Sequence, residues 1–180
     1  MGVNVNDYEI MGAVLQGRSL EVYKMMIPAG FKLNRDFGFA GGPLSWVGDD
    51  VPLAAYLLEH GANPNNEVQS GTYQPLALAA RNANDNPEMI ELFIRHGAQI
   101  DGSGALLVAA AYGNLEAARC LISHGANVNL HRWRDTLIIK PNREETALHR
   151  AIRGRHEALA TLLLESGADM SPRDAHGKTA

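Results

Sequence analysis

The chain has 180 residues, of which 46% are hydrophobic and 20% charged, the composition of a folded globular domain with a sizeable core rather than of a disordered segment. No apolar run approaches the roughly 18 residues that would span a membrane. The net charge of −4 argues against a general nucleic-acid binder, yet residues 131–156 carry seven Lys/Arg against three acids, a local +4 that leaves −8 elsewhere and suits an anionic partner.

In chain order, one phrase recurs. It is faint at MMIPAGFKLN (Met25–Asn34) and clear at LLEHGANPN (Leu57–Asn65). It returns at LFIRHGAQI (Leu92–Ile100), LISHGANVN (Leu121–Asn129) and LLLESGADM (Leu162–Met170). The marker glycines Gly30, Gly61, Gly97, Gly125 and Gly167 are 31, 36, 28 and 42 residues apart, a mean of about 34, which signals a stacked repeat.

The second unit is short between Leu44 and Gly61, with Trp46, Gly48 and Pro52 breaking its first helix. The third carries a small insertion, RNANDNPEM, in which Asn86 and Pro87 suit a helix start. The fourth is the clearest. GALLVAAAYG (Gly104–Gly113) predicts a short Ala-rich helix packed on both sides, and Asn114 is placed to cap a second helix, LEAARCLISH. Leu115, Ala118, Leu121 and Ile122 fall on one stripe of that helix. Gly125 follows where a left-handed residue ends a helix at low steric cost. Such a pair cannot bury its apolar face alone, whereas stacked copies build a continuous core. Ala79, Ala80, Ala109, Ala110 and Ala111 let neighbouring helices approach closely.

These features resemble the ankyrin repeat family. Its T-P-L-H-x-A opening is fullest at TALHRA (Thr146–Ala151) and degenerate at GPLSWV (Gly42–Val47), QPLALA (Gln74–Ala79) and GALLVA (Gly104–Ala109). The closing HGA occurs three times, with SGA at Ser166–Ala168. The resemblance implies an all-α solenoid of helix–turn–helix units joined by β-turn or hairpin fingers. It runs over five repeats plus the start of a sixth, with repeats near 6–36, 37–69, 70–101, 102–130 and 144–173 and a partial sixth at 174–180. The first, with AGF in place of HGA, is the most divergent, as a terminal cap would be.

The fingers are uneven. From marker glycine to the leucine opening the next repeat, the gaps are 14 (Gly30 to Leu44), 15 (Gly61 to Leu76), 9 (Gly97 to Leu106) and 23 (Gly125 to Leu148). One finger is therefore cut short, and one is extended over residues 129–145, where TLIIK (Thr136–Lys140) predicts a strand of a longer hairpin. RDAHGKTA (Arg173–Ala180) opens a further repeat, so the face around Ile152, Leu159 and Leu163 is expected to lack a cover unless the chain continues or self-associates.

The histidines and the cysteine favour architecture over chemistry. His60, His96 and His124 each precede a helix-ending glycine, and the resemblance gives His149 a hydrogen-bonding role between turns. His131, His156 and His176 are expected in solvent. The single cysteine, Cys120, excludes an intramolecular disulfide, is expected to be buried and inert, and favours an intracellular compartment, cytoplasmic or nuclear. No zinc spacing, phosphate loop or nucleophile elbow occurs, so neither metal, cofactor nor catalytic residue is assigned.

The remaining signal is recognition. Carried over from the family, the concave face includes Arg81, Asn82, Tyr112 and Arg153, and the fingers add Phe37, Phe39, Tyr73, Arg132, Trp133 and Arg134, residue types that dominate binding hot spots. The expected function is a non-catalytic protein-interaction module or scaffold for a protein partner with an acidic or phosphorylated segment, with no nucleic acid or membrane involved. Two alternatives stand beside it: a regulatory or substrate-recruiting part of a larger enzyme, and an enzyme or small-molecule binder using an irregular concavity around Trp46, Arg81 and Tyr112.

Overall fold

The computed structural model describes residues 7–35, 42–66, 73–83, 86–130, 145–172 and 179. Among these the chain folds as α1 (Tyr8–Gly17), α2 (Leu20–Met26), a 3₁₀ turn (Pro43–Ser45), α3 (Val51–Glu59), α4 (Pro75–Asn82), α5 (Glu88–Arg95), α6 (Ile100–Ser103), α7 (Ala105–Tyr112), α8 (Leu115–Ser123), α9 (Ala147–Arg153) and α10 (Glu157–Glu165). None exceeds ten residues, too short to hold in water alone, so packing between helices supplies their stability.

The helices stack in two rows. The 3₁₀ turn, α4, α7 and α9 follow one another in the first; α2, α3, α5, α8 and α10 follow one another in the second. Each first-row helix also packs on the second-row helix after it, as α4 does on α5, α7 on α8 and α9 on α10. The result is an all-α solenoid with one continuous core. In α7 every residue from Ala105 to Ala110 is buried, because α4 flanks it on one side and α9 on the other. That double flanking is why its sequence is apolar all round. In the second row α5 shows one apolar face, with Met89, Ile90, Leu92 and Phe93 buried and Glu88, Glu91 and Arg95 exposed.

Each clause of the recurring phrase has a structural cause. Gly30, Gly61, Gly97, Gly125 and Gly167 take φ of +93°, +91°, +86°, +89° and +89°, the left-handed region that glycine enters freely. At Gly125 the amide bonds Ile122 O at 2.9 Å and the next amide, of Ala126, bonds Leu121 O at 3.0 Å, the Schellman pattern that closes a helix. The residue after the glycine then turns inward: Phe31, Ala62, Ala98 and Ala126 are all buried. In the second, fourth and fifth units the residue before it satisfies a helix-end carbonyl. The His60 ring N–H at Nδ1 donates to Tyr56 O and that of His124 to Cys120 O, each at 2.8 Å, while Ser166 Oγ donates to Leu162 O at 2.7 Å.

The irregular units also have local reasons. Gly48, at φ +64°, follows the 3₁₀ turn, and Asp50 then caps α3 by accepting Leu53 N–H at 2.9 Å. So the second unit has a single 3₁₀ turn where the others have a first helix. Asn86 Oδ1 accepts Glu88 N–H at 2.9 Å at the start of α5. The shortened finger is replaced by the one-turn α6, which Gly104 (φ +69°) ends and which leads straight into α7. Five expectations need correction. Ala111, expected at a close helix approach, is exposed, and Pro52, expected to break the second unit's first helix, stands in the first turn of α3. Asn114 stands at the N-cap of α8, but its side chain makes no cap bond; it reaches back to the preceding unit. Leu159 and Leu163 are buried on the inner side of α10, and among the described residues of this end the large exposed apolar ones are Ile152, Leu164 and Met170. His156 is half-buried rather than solvated, its ring lying where a side chain on Gly113 or Gly154 would sit. Of the extended finger expected at 129–145, residues 131–144, with the predicted TLIIK strand, lie outside the described residues.

Candidate interaction face

The C-terminal ends of the first-row helices share a register set by side chains that cross unit boundaries. Asn114 Nδ2 donates to Ala80 O at 2.8 Å and Arg81 O at 2.7 Å, closing carbonyls at the end of α4. His156, at the corresponding N-cap of α10, brings Nε2 to 3.4 Å from Ala111 O. Asn114 is three residues beyond Ala111, and His156 is three beyond Arg153. Arg81, Ala111 and Arg153 therefore hold equivalent places on α4, α7 and α9, and all three are exposed.

Tyr112 sits within this stripe, and Tyr73 lies close to it from ahead of α4. The Arg81 guanidinium carbon lies 5.0 Å from the centroid of the Tyr112 ring, in cation–π contact. Tyr112 is 47% exposed, a large apolar ring left in water at a helix end. Tyr73, half-buried ahead of α4, shares a side-chain hydrogen bond with Tyr112. Burial raises the Tyr73 phenol above its ordinary value and Tyr112 adds to the rise, while the Arg150 and Arg81 guanidiniums oppose it. Both oxygens of Glu145, a residue only 3% exposed, accept from Arg153: Nη1 donates to Oε2 at 3.0 Å and Nη2 donates to Oε1. Arg150 Nε stands 3.9 Å from Glu145 Oε2. The Arg153 side chain remains 48% exposed, so it is fixed on one edge and open on the other. Such a forked pair orients a guanidinium far better than a single bond does.

The structure thus brings together Tyr73, Arg81 and Tyr112, with Asn82 exposed beside Arg81 at the end of α4, and holds Arg153 on Glu145 at the equivalent place on α9. Phe37, Phe39, Arg132, Trp133 and Arg134 lie outside the described residues. Trp46 is half-buried on the 3₁₀ turn, and Arg155 is exposed at φ +58°. His149 is buried and bonds Thr146, with which it forms a capping box at the start of its own helix. Sequence reasoning missed Glu145, masked by the basic residues around it, and Arg150. It also missed the inward reach of Asn114 and His156, for which spacing from the preceding helix was the only available signal.

Among the described residues no group of three His, Cys, Asp or Glu side chains is placed to hold a metal ion, and no helix is long and apolar enough to cross a membrane. Burial raises the Cys120 thiol, and the Glu91 carboxylate adds to the rise, which favours the unreactive protonated form. Two shallow notches lie between adjacent finger bases. One is bounded by Ile100, Gly104, Leu107 and Ala147, the other by Leu33, Leu44, Ser45 and Pro75. Neither includes Trp46, Arg81 or Tyr112.

A stack of short helix pairs, closed by left-handed glycine turns, is a helical repeat solenoid in its architecture. The family model described as ankyrin repeats (3 copies) matches residues 44–132 and 76–174, and the chain belongs to that family. Ankyrin repeats are generally protein–protein interaction modules. A fowlpox virus (strain NVSL) protein named for its ankyrin repeats is 33% identical over 115 residues, covering 51% of this chain and 21% of its own. An ankyrin repeat domain-containing protein of cowpox virus (strain Brighton Red) is 29% identical over 150 residues, covering 72% of this chain and 21% of its own. A transient receptor potential cation channel subfamily A member 1 homolog of Caenorhabditis elegans is 31% identical over 119 residues, covering 63% of this chain and 9% of its own. The chain thus spans about a fifth of the two poxvirus proteins and under a tenth of the channel homolog. None of the three is named for an enzymatic activity.

Proposed function

We propose that this chain is a non-catalytic recognition module that binds a protein partner on the exposed ends of α4, α7 and α9. The observation that carries the reading is the stacking of Arg81 on Tyr112, next to Tyr73, with an oriented Arg153 at the equivalent place on α9. Aromatic rings and guanidiniums held in place lose little entropy on binding, which is what makes such residues hot spots. Asn82 completes the face. The extended finger at 129–145, with Arg132, Trp133 and Arg134, and the earlier finger residues Phe37 and Phe39 would add contacts from its rim. The excess of guanidiniums favours a partner segment carrying acidic or phosphorylated side chains.

The test is a pull-down from source-cell lysate with three baits: wild type, Arg81→Ala/Tyr112→Ala, and the Arg132/Trp133/Arg134 triple alanine. A protein held by wild type and lost by the first variant supports the helix-end face, and loss in the second adds the finger. A protein held equally by all three removes both surfaces from the reading. A second reading, recruitment or regulation within a larger protein, is favoured by the greater length of the relatives.

A further inference from the structure

The shortened finger between the third and fourth helix pairs places Asp101 and Gly102 in α6, and both are exposed. Of all the Asp and Asn residues in the chain, Asp101 is the one that glycine follows. That order has a chemical consequence. An aspartyl carboxyl is open to attack by the amide nitrogen of the next residue, and a glycine there has no Cβ to hinder the approach. Ring closure needs Asp101 Cγ brought against the Gly102 nitrogen. A helical backbone holds the two apart, so α6 must open first.

Three features favour that opening. α6 is a single turn of four residues, with Gly102 inside it and Gly104 (φ +69°) ending it; glycine lowers helix propensity, and one turn alone has little cooperative support. The Gly102 amide lies in the first turn, where the helix itself offers no acceptor. Asp101 ties α6 to the next unit by one side-chain bond, Oδ1 accepting Asn127 N–H at 2.9 Å, where Asn34, Asn65 and Asn129 each make two across their boundaries. Asp7, Asp50 and Asp169 also accept backbone N–H groups, but Tyr8, Val51 and Met170 follow them.

We propose that Asp101–Gly102 is a site of spontaneous isoaspartate formation, which makes the aged chain a substrate for an isoaspartate-specific carboxyl methyltransferase and releases the boundary that Asp101 holds. The Gly102 nitrogen bonds to Asp101 Cγ and gives up its proton, and one carboxyl oxygen leaves as water, closing a succinimide. Water then reopens the ring. Addition at Cγ restores aspartate. Addition at the former main-chain carbonyl leaves that carbon as a free carboxylate and sends the chain through Cγ. Composition is unchanged, but the main chain is one carbon longer and the carboxylate stands one carbon closer to it, out of register with Asn127 N–H.

The experiment ages the full chain at neutral pH and body temperature as wild type, Gly102→Ala and Asp101→Asn. A Cβ at 102 would press on the Gln99 side chain, 3.1 Å from its Oε1, a flexible tip that can move, so the fold is kept. Isoaspartate is counted by methyl transfer from S-adenosylmethionine with the purified methyltransferase. It is placed by mass spectrometry of the tryptic peptide His96–Arg119, in which Asp101 is the single aspartate. Wild type is expected to gain isoaspartate in that peptide, at unchanged mass, ahead of every other aspartyl peptide. Gly102→Ala should fall to the level of the other aspartates, and Asp101→Asn, which expels ammonia in place of water, should convert faster than wild type. Aged wild type should melt below fresh wild type, while aged and fresh Gly102→Ala melt together. A native chain that stays unmodified while the same chain in urea isomerises, equal accumulation in wild type and Gly102→Ala, or an excess at any other aspartate would each overturn the site. Isomerised wild type that melts with the fresh chain would overturn the release of the boundary.

Discussion

Asn65 is bonded across a unit boundary to Gly97: its Nδ2 donates to the Gly97 carbonyl oxygen at 2.8 Å, while its Oδ1 accepts from Gln99 N–H, also at 2.8 Å. Asn34 makes the same clamp on Gly61 O and Asn63 N–H, and Asn129 on Gly167 O and Asp169 N–H. At the corresponding place Asp101 accepts Asn127 N–H at 2.9 Å, but a carboxylate has no N–H for the Gly125 carbonyl. Asn65→Ala should therefore destabilise by about 1–2 kcal/mol, the worth of two partly exposed hydrogen bonds. Asp101→Asn should stabilise by up to about 1 kcal/mol by completing the missing bond. Urea denaturation midpoints would decide; a lower midpoint for Asp101→Asn would mean that the ladder contributes nothing at that boundary.

Gly125 has nothing within 4 Å of where a Cβ would stand, yet its φ is +89°. Gly125→Ala should thus cost about 1–2 kcal/mol through backbone conformation alone. Gly12, inside α1 and equally open, provides the contrast: Gly12→Ala should stabilise by about 0.5–1 kcal/mol. Opposite signs for these two glycines in thermal melts are the expected result, and matching signs would show that space rather than φ selects glycine in the turn.

Leu121 is fully buried on α8. Leu121→Ala should destabilise by about 2–5 kcal/mol through lost burial and the cavity left behind. Loss of cooperativity in the melt would accompany it if the fourth helix pair holds its neighbours together.

Glu145 is buried while Arg153, its forked partner, is half exposed. Solvent screening on the Arg153 side limits the stabilisation, so Glu145→Gln should cost about 1–2 kcal/mol, less than a fully buried pair would. A double-mutant cycle with Arg153→Gln should return a coupling of similar size, and zero coupling would show the bidentate contact to be energetically idle.

Cys120 sits at the inner edge of α8 with its thiol raised by burial. At neutral pH it should react with a thiol-specific disulfide reagent at least about tenfold more slowly in the native chain than in urea. A native rate equal to the unfolded rate would show that α8 opens readily.

Much of the fold was legible in the residues. The recurring HGA marks a left-handed residue and an inward-facing alanine, a local demand that any chain must meet with few residue types, and the Ala-rich run of Ala105–Ala110 announces a helix flanked twice. Tyr73, Arg81, Tyr112 and Arg153 were legible as candidates by type, but the meeting of the first three, and the hold of Glu145 on the last, were not. Asn114 has the look of a local cap, and only the neighbouring carbonyls of Ala80 and Arg81 draw its side chain away. Leu159 and Leu163 have the look of an open end, and only the packing of α10 on α8 and α9 turns them inward.

What the sequence by itself determined is the repeat: where each helix closes, which residue turns inward, and which unit is shortened, because these follow from φ preferences and hydrophobic period within a few residues. Only the tertiary structure decided which side chains meet across units. The clamp of Asn65 on Gly97, the pairing of Glu145 with Arg153 and the alignment of Ala111 with Arg81 and Arg153 depend on the stacking register, which is a property of packed helices and not of any one of them.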